Sequence, residues 1–305
     1  PARDFVEFND FIKQCYASVD TIRKAADTIG VLIGAPAHNT NEKGKPLYNA
    51  AFFLYDQKIQ AEIHKTLLPT YDVFDENRYF EPASEWKVVP FKGKNLAITI
   101  CEDIWNLGDN PLYTICPMDK MMQQSPDILL NLSASPFDYT HDEDRKATIK
   151  SNVVKYKRPL FYCNAIGSQT EIVFDGASLV FDKDANLCGA LPMFESAMQI
   201  FECNEDGTIN APILEPAASV PSKELNPAML VPALNIDQVY KALVLGVKDY
   251  FNKMGFTKAI LGSSGGIDSA VTLAIACEAL GKDNVYAILM PSPYSTEHSV
   301  DDAVE

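Results

Sequence analysis

The stretch SSGGIDS at residues 263–269 has the residue types of an anion-binding turn, with glycines beside serine hydroxyls and an aspartate. The apolar run before it predicts a strand, and the run after it predicts a helix whose N-terminus presents unpaired backbone N–H groups. No lysine follows the glycines as in a Walker P-loop, so the turn suits a departing pyrophosphate better than a γ-phosphoryl group in transfer. The chemistry indicated is phosphate binding; the alternative is a tight turn whose glycines only allow close packing.

A second candidate is Cys101, which follows the apolar run of ITICEDIW at a predicted strand end. A nucleophile placed there is exposed, and the next backbone N–H can serve as an oxyanion donor. A thiolate is useful only where a neighbour lowers its pKa or removes its proton, and a lysine can assist. The chain has seven scattered cysteines and no CxxC pair, so we expect reduced thiols and no zinc site, with the other six inert.

The composition limits the classes of partner. With a formal net charge of −15, the chain would repel the phosphates of a nucleic acid, although a glycine-rich turn can still hold a small phosphorylated ligand. No stretch approaches the ~18 apolar residues of a membrane span, and the charged start PARDFVEFND does not resemble a signal peptide. We therefore expect a cytoplasmic protein with no membrane or nucleic-acid partner, whose first residue is a cut edge.

The elements that must position these residues fall into two unequal blocks. Residues 1–203 alternate short apolar runs with helical patterns, which predicts an α/β sandwich. Residues 204–236 are rich in Pro, Asn and Ser, which indicates a linker or a strap. Residues 237–305 begin with an amphipathic helix and continue as one βαβ pattern. One such unit is too little for a parallel-sheet domain, so we expect the second domain to be truncated.

Local patterns give more specific expectations. Helical patterns cover 11–27, 142–157 and 237–254, and apolar runs predict strands at 29–37 and 49–63. The stretch 177–194 has two strand-like runs around a turn and predicts a hairpin. Arg145, in the charged stretch HDEDRK, could face a carboxylate in a catalytic pocket, but the preferred expectation is a surface ion pair.

Five motifs together carry a family resemblance. SGGIDS resembles the phosphate loop of the ATP pyrophosphatases. HKTLLPTYDVFDENRYF, ITICEDIW, NLSASPF and FDGASLVFD, in that order, resemble the nitrilase superfamily. More narrowly, the combination is similar to the family of glutamine-dependent NAD⁺ synthetases, in which such a glutaminase is fused to an ATP pyrophosphatase. This resemblance covers nearly the whole chain. It implies an α/β fold: a four-layer αββα nitrilase-like sandwich, then the start of a Rossmann-like parallel-sheet ATP pyrophosphatase domain.

The resemblance also implies roles for particular residues. Cys101 would attack the side-chain amide of glutamine and release ammonia, while Lys65 and the backbone N–H of Glu102 would stabilise the oxyanion. Tyr71 and the loop around Phe74 and Glu76 would close over the substrate. Contacts to the charged α-groups of glutamine would come from Tyr71, Glu102 and Ser133 or Ser135. The pyrophosphate of ATP would be surrounded by Ser263, Ser264, Gly265, Gly266, Asp268 and Ser269.

In such an enzyme, ammonia passes through a tunnel to a second site. There Mg²⁺-ATP adenylates deamido-NAD⁺ (nicotinic acid adenine dinucleotide), and ammonia converts the adduct to NAD⁺, AMP and pyrophosphate. Family members assemble so that glutaminase and synthetase domains of different subunits meet, which implies a homo-oligomer.

Two departures from the family pattern qualify these expectations. The glutamate that serves as general base in nitrilase-type sites is absent from the chain, together with a first strand and helix. Glu7, Glu62, Glu76 and Glu102 are present, but none lies in a matching motif. The metal ligands and the rest of the ATP site are expected beyond Glu305. The 305 residues alone are therefore expected to be inactive in both half-reactions.

Two alternative functions stay open. A stand-alone nitrilase-type amidase would use another amide, but SGGIDS argues against it. An inactive scaffold would keep the fold without activating Cys101, so its thiol would not be alkylated faster than the other six. Other SGGxDS amidotransferases, which make GMP or asparagine, have different glutaminase folds, and the Lys65–Cys101 block argues against them.

Overall fold

The computed structural model describes residues 3–109, 111–139, 141–211, 236–291 and 297–304. The helices are α1 (Asn9–Ala25), α2 (Glu76–Tyr79), α3 (Pro117–Met122), α4 (His141–Tyr156), α5 (Ile236–Met254), α6 (Ile267–Leu280) and α7 (Glu297–Val304). Short 3-10 segments cover Arg3–Glu7, Cys101–Ile104 and Lys282–Asn284. The helices predicted over 11–27, 142–157 and 237–254 correspond to α1, α4 and α5.

Fifteen strands are described. Those of the first block are β1 (Val31–His38), β2 (Leu47–Tyr55), β3 (Lys58–His64), β4 (Val89–Phe91), β5 (Lys94–Ile100), β6 (Ile128–Ser133), β7 (Leu160–Asn164), β8 (Ile166–Gln169), β9 (Ile172–Asp175), β10 (Leu179–Phe181), β11 (Leu187–Ala190), β12 (Glu202–Cys203) and β13 (Ile209–Asn210). The second block contains β14 (Ala259–Ser263) and β15 (Val285–Leu289).

Two large sheets form the core of the first block, and the two-stranded β8–β9 and β12–β13 sheets are added to them. β1, β2 and β3 make an antiparallel three-stranded sheet, and a six-stranded sheet has the order β11-β10-β7-β6-β5-β4. Its central strands β5, β6 and β7 are parallel, so the ends of β5 and β6 lie at the same edge. β10 and β11 pair antiparallel, which confirms the hairpin predicted within 177–194.

The run predicted as a strand at 49–63 is a hairpin of β2 and β3. Asp56 and Gln57 form its two-residue turn, with φ of 53° and 55°. A turn with two positive φ values joins strands well because its twist matches theirs, and Asn-Gly is its usual signal. Asp-Gln carries that signal weakly, which explains the missed turn.

Three apolar clusters separate four layers of secondary structure. Alternate residues of β2 face opposite sides of its sheet, as the strand geometry requires. On the outer side they pack against α1, in the cluster of Val19, Ala26, Ala37, Tyr48, Ala50, Phe52 and Leu54. Between the sheets lie Ala51, Phe53, Ile63, Val89, Leu96, Ile98, Ile100 and Cys101. The outer side of the six-stranded sheet packs on α3 and α4 through Leu129, Met118, Met121, Ile149 and Val153. The predicted αββα sandwich is confirmed.

The predicted linker, 204–236, begins with the β12–β13 hairpin. Ile209 of this hairpin is buried with Val180 and Cys188 of the β10–β11 hairpin. Residues 204–211 therefore pack on the first block. Residues 212–235 lie outside the described residues, and the division at 203 and 237 stays a prediction.

The second block contains the predicted βαβ unit. β14 and β15 pair in parallel, and α6 connects them on one face. Helix α5 packs against α6 and against the β8–β9 hairpin of the first block. There the Ser168 backbone N–H donates to Asp249 Oδ2 at 2.7 Å, and Lys253 donates to the Ser168 carbonyl oxygen. The second block is thus attached to the first through α5.

Candidate active site

Cys101 lies where the central strand β5 ends. It is the first residue of the 3-10 turn Cys101–Ile104, and its φ of +46° is in the left-handed region. A non-glycine residue there stores about 1–2 kcal/mol of backbone strain, which the packing around it must support. Its carbonyl oxygen is 3.4 Å from the Asn131 side-chain amide nitrogen, and its side chain is buried. The prediction of a sharp strand end at Cys101 is confirmed, but the expectation that the side chain is exposed there is wrong, because Cys101 packs in the apolar cluster between the two sheets.

Lys65 is a buried residue, contrary to the surface position that its sequence context alone suggests. It follows β3 directly, and only 1% of it is exposed. Its Nζ donates to both carboxylate oxygens of Glu76, at 2.7 and 2.8 Å. The Asn49 side-chain amide donates to Glu76 Oε2 at 3.1 Å. Glu76 is therefore a fixed counter-ion in the core and not part of a closing loop, because burial of the Lys65 ammonium requires a paired charge.

Asp103 joins the segments that carry Lys65 and Cys101. Its Oδ1 accepts from the backbone N–H groups of Thr66 and Leu67 at 3.0 and 2.9 Å, and its Oδ2 accepts from Ile100 at 3.1 Å. Burial raises the pKa of Asp103 to about 6, against the opposing effect of these three amides and of Lys65. Asp103 has no recognisable signal in the sequence, because two of its partners lie more than 35 residues away and all three contacts are made by backbone N–H groups.

The pKa values of the thiol and the ammonium describe the resting site. Burial raises the pKa of Cys101 above its ordinary value, and the positive charge of Lys65 only partly offsets this. Burial opposes the charge of Lys65, but Glu76, Cys101 and Asp103 together hold the pKa of Lys65 above its ordinary value. At neutral pH the pair is therefore a thiol beside an ammonium. A proton acceptor is needed when the thiol reacts.

Cys101 lies between two cavities. The first, of about 460 Å³, is lined by apolar residues of β1 together with Lys65, Glu76, Asn49, Ser133 and Asn164. The second, of about 230 Å³, is lined by Tyr71, Glu102, Ser135, Asp138 and Glu171, among others. The structure thus brings Lys65 and Ser133 to one side of Cys101. It brings Tyr71, Glu102 and Ser135 to the other.

Tyr71 and Glu102 are in direct contact. The hydroxyl of Tyr71 donates to Glu102 Oε1 at 2.9 Å, and the hydroxyl of Tyr113 donates to the same oxygen at 2.8 Å. Tyr113 was missed by the sequence analysis because it lies in an irregular segment without a recognisable pattern. The ring of Tyr71 packs edge-on against Phe74, 5.8 Å between centroids, so this part of the expected loop does lie over the second cavity.

The two serines have different surroundings. Ser133 donates its hydroxyl to Asn131 Oδ1 at 2.7 Å, whereas Ser135 is buried and donates its backbone N–H to Asn164 Oδ1 at 2.9 Å. Asn164 also donates to Asp175. Both serines line a cavity that includes Cys101, so the geometry keeps both as candidates.

Arg145 does not form the expected surface ion pair. Its guanidinium is buried and donates to Asp175 Oδ2 at 3.0 Å, with both side chains 1% exposed. The charged helix α4 turns this residue toward the sheet. The burial of Arg145 could not be predicted from the sequence, because its nearest neighbours in HDEDRK are charged residues of the kind that usually face solvent.

The predicted phosphate loop connects β14 to α6. Ser264 and Ser269 interact through their hydroxyls at 3.1 Å, and Gly266 N–H points to Ser264 Oγ at 3.3 Å. Gly265 has a φ of +76°, which its missing side chain allows. The loop is largely exposed and lies at the N-terminus of α6, where Asp268 is in the first turn. Ser263 ends β14, so the six predicted residues are adjacent in space.

Two further findings concern metals and membranes. Across the described ranges, no three His, Cys, Asp or Glu side chains are grouped so that they could hold a metal ion. Among the helices in the described part of the chain, none is both long and apolar enough to cross a bilayer.

The two-sheet sandwich, with a strand-end cysteine beside a buried lysine–glutamate pair, has the fold of a nitrilase-type protein. Comparison with known proteins agrees. Residues 5–211 match the carbon-nitrogen hydrolase family, and residues 239–305 match the NAD synthase family. The chain belongs to the carbon-nitrogen hydrolase family.

Individual relatives cover this chain to different extents. The glutamine-dependent NAD(+) synthetase of Synechocystis sp. is 36% identical over 313 residues, covering 100% of this chain and 53% of the relative. The structure of glutamine-dependent NAD+ synthetase from Acinetobacter baumannii in complex with ADP superposes with a TM-score of 0.81 at 30% identity, covering 100% of this chain and 53% of that one. A carbon-nitrogen hydrolase from Helicobacter pylori, at 18% identity and a TM-score of 0.50, covers 62% of this chain and 66% of its own, and shows the fold alone. The chain spans about half the length of the curated relatives it matches.

Proposed function

We propose that this chain belongs to an enzyme that takes ammonia from glutamine at Cys101 and uses it in an ATP-dependent amidation of deamido-NAD⁺ to NAD⁺. The observation that carries the proposal is the presence, in one chain, of the Cys101–Lys65–Glu76 site and of the SGGIDS loop on a parallel βαβ unit. The matches to the carbon-nitrogen hydrolase and NAD synthase families support the same pairing.

In the glutaminase reaction, the Cys101 sulfur forms a bond to the amide carbon of glutamine. The negative charge that develops on the amide oxygen is stabilised by the Lys65 ammonium and by the backbone N–H of Glu102. The amide nitrogen takes up the thiol proton by way of a general base and leaves as ammonia. Water then cleaves the thioester, which yields glutamate and restores the thiol.

The three carboxylates whose charges or segments adjoin Cys101 already have partners. Glu76 is engaged by Lys65 and Asn49, and Glu102 by Tyr71 and Tyr113. Asp103 accepts three backbone amides. Protonating any of these carboxylates would weaken the hydrogen bonds and ion pairs that it accepts. This supports a general base supplied by a glutamate outside this sequence.

In the synthetase reaction, the loop 263–269 would hold the pyrophosphate of ATP on the N-terminus of α6. Ser264, Gly266, Asp268 and Ser269 would surround the anion. Mg²⁺ would accompany ATP, with ligands beyond Glu305. Ammonia would reach this site from Cys101 within the assembled protein, which we propose to be a homo-oligomer.

The direct test is mass spectrometry of a protein that carries this sequence together with its proposed general-base glutamate, after incubation with glutamine, combined with an assay of glutamate release. We expect one γ-glutamyl group on Cys101 and glutamate formation, both lost in Cys101→Ala and retained in the control Cys15→Ala. Release of pyrophosphate from ATP that requires deamido-NAD⁺ separates the proposed enzyme from a stand-alone amidase. Absence of acylation and of glutamate formation would instead favour an inactive scaffold.

A further inference from the structure

The side chain of Asp103 connects the two large sheets at the edge where Cys101 lies. Its Oδ2 accepts from the N–H of Ile100, the last residue of β5 in the six-stranded sheet. Its Oδ1 accepts from the N–H groups of Thr66 and Leu67, which follow β3 of the three-stranded sheet. Capping the turn that begins at Cys101 needs only the contact to Ile100. The contact to the other sheet therefore calls for a second role of Asp103.

This second contact acts on the segment that carries Lys65. Lys65 directly precedes Thr66, and its backbone N–H donates to the Asn49 carbonyl oxygen of β2 at 2.8 Å. The lysine is therefore attached to the three-stranded sheet, whereas Cys101 follows a strand of the six-stranded one. Apolar side chains fill the space between these sheets, and apolar contacts are not directional. The hydrogen bonds of Asp103 are directional, so they can fix the position of Lys65 relative to Cys101.

Asp103 acts through other residues and not on a ligand. It is 1% exposed and is not one of the residues that line the two cavities. Its pKa of about 6 is above the ordinary value of 3.8, so the folded chain holds a proton on this carboxyl group more tightly than the unfolded chain does. The stabilising contribution of the group is complete below pH 3.8 and is lost as the pH rises through 6. At neutral pH the ionised Asp103 thus lowers the stability of the fold, and a buried charge with that effect two residues from Cys101 favours a functional role.

We propose that Asp103 is a positioning residue: its hydrogen bonds to both sheets hold the Lys65 ammonium where it can act on the same amide group as the Cys101 sulfur. This inference rests on the proposed glutaminase function. Displacing a reacting or stabilising group by about 1 Å can cost about 10²-fold in rate. Asp103 therefore controls the rate of acylation, while the affinity for glutamine depends on the residues that line the cavities.

Asp103→Asn is the informative substitution, because it keeps the shape of the side chain and removes one acceptor. The asparagine oxygen can accept from Ile100 or from residues 66–67, while its NH₂ group faces a donor N–H on the other side. The matched control is Asp182→Asn. Asp182 is also buried and accepts two backbone N–H groups, but within a single turn of the β10–β11 hairpin and outside both cavities. The control should change neither the alkylation nor the acylation of Cys101.

The pH dependence of Cys101 alkylation by iodoacetamide reports the position of Lys65 without any substrate. Losing the negative charge of Asp103 would lower the pH midpoint, whereas displacing Lys65 would raise it, because Lys65 lowers the pKa of Cys101. A double-mutant cycle with Lys65→Met separates these effects, since only the second requires Lys65. We expect the change caused by Asp103→Asn to be more positive, by about 0.5 pH units or more, when Lys65 is present than in the Lys65→Met background. The charges of Glu76 and Glu102, which also act on Cys101, are common to all four proteins.

Acylation provides a second measurement that does not depend on Lys65→Met. In a protein that carries this sequence together with its proposed general-base glutamate, Asp103→Asn should lower the rate of Cys101 acylation by glutamine about 10–100-fold. In the Cys101→Ala background, the dissociation constant for glutamine, measured by isothermal titration calorimetry, should stay within about threefold. Asp103→Glu, which keeps the charge but lengthens the side chain, should show the same division between rate and affinity. Thermal unfolding checks that each variant is folded at the temperature of the assay.

The outcomes separate this inference from the proposed function. Equal midpoint changes in both backgrounds, or equal losses of rate and affinity in Asp103→Asn, would overturn the positioning role and leave Asp103 as the cap of its turn. If glutamine acylates Cys101 in the unsubstituted protein but the cycle shows no dependence on Lys65, only this inference fails. If the cycle shows that dependence but Cys101 is never acylated, the proposed glutaminase reaction fails and the link from Lys65 to Cys101 stands.

Discussion

Replacing Glu76 with glutamine should destabilise the chain and impair Cys101 together. Lys65 and Glu76 are both buried, with Nζ at 2.7 and 2.8 Å from the two carboxylate oxygens. Removing one partner of a buried ion pair costs about 3–5 kcal/mol, because the remaining charge is left uncompensated. Glutamine keeps one acceptor oxygen but presents an NH₂ group to Lys65 or Asn49, both donors. We therefore expect a loss of about 3 kcal/mol in the free energy of unfolding.

The same change should weaken catalysis through Lys65. Glu76 is the largest influence that keeps the buried Lys65 charged, so its loss lowers the pKa of Lys65. A neutral amine stabilises an oxyanion poorly, and loss of one such donor costs about 10²–10³ in kcat. We expect a fall in the rate of Cys101 acylation by glutamine within this range.

Thermal unfolding and acylation kinetics measure the two effects. For a domain of this size, about 3 kcal/mol corresponds to a decrease in Tm of about 6–12 °C. Ile149→Ala is the matched control, since it removes a buried side chain where α4 packs on the six-stranded sheet, outside both cavities, at a cost of about 2–5 kcal/mol. It should lose comparable stability and keep most of its acylation rate. A Glu76→Gln protein with a Tm within about 2 °C of the wild type and an unchanged acylation rate would refute the assignment of Glu76 as the counter-ion.

Two further predictions concern the thiol and the helix that attaches the second block. Burial raises the pKa of Cys101, and the positive charge of Lys65 lowers it. Alkylation of Cys101 by iodoacetamide should therefore be slow at pH 7 and faster above pH 9, and in Lys65→Met its pH midpoint should be higher still. A lower midpoint in that variant would contradict the charge argument. Asp249→Ala removes the acceptor for the buried Ser168 N–H. Exchange of that amide with deuterium should accelerate about tenfold or more, while exchange of the β6 amides is unchanged. Equal protection of the Ser168 amide in both proteins would show that α5 does not hold the β8–β9 hairpin.

Local patterns predicted most elements of the fold. The amphipathic periodicity of α1 and α5 and the run of α4 gave helices within two residues of their observed ends, because a helix face is encoded over consecutive turns. The β2–β3 turn was missed because Asp56 and Gln57 adopt positive φ without a glycine. The pairing of the strands into two sheets came from the family resemblance, since pairing between distant segments leaves no periodic signal in one sequence.

The site was predictable where residues sit in motifs. Cys101 and the loop 263–269 were found because a strand end and a glycine-rich turn are visible in the sequence. Lys65 was found through the resemblance, because a lone lysine looks like a surface residue. Its burial depends on Glu76, which the sequence places eleven positions away with no pattern between them. Asp103 and Tyr113 were missed for the same reason, since their roles arise from contacts between segments that only the fold brings together.

The resting state of the thiol bears on how the reactivity of Cys101 should be compared. Burial raises the pKa of Cys101, the charges of Glu76 and Glu102 add to this rise, and Lys65 opposes it. Slow alkylation of the free protein at neutral pH is therefore compatible with an active enzyme and does not by itself support an inactive scaffold. The informative comparison is the alkylation rate of Cys101 across pH in the wild type and in Lys65→Met, because the shift between the two proteins reports the electrostatic effect of Lys65 on the thiol.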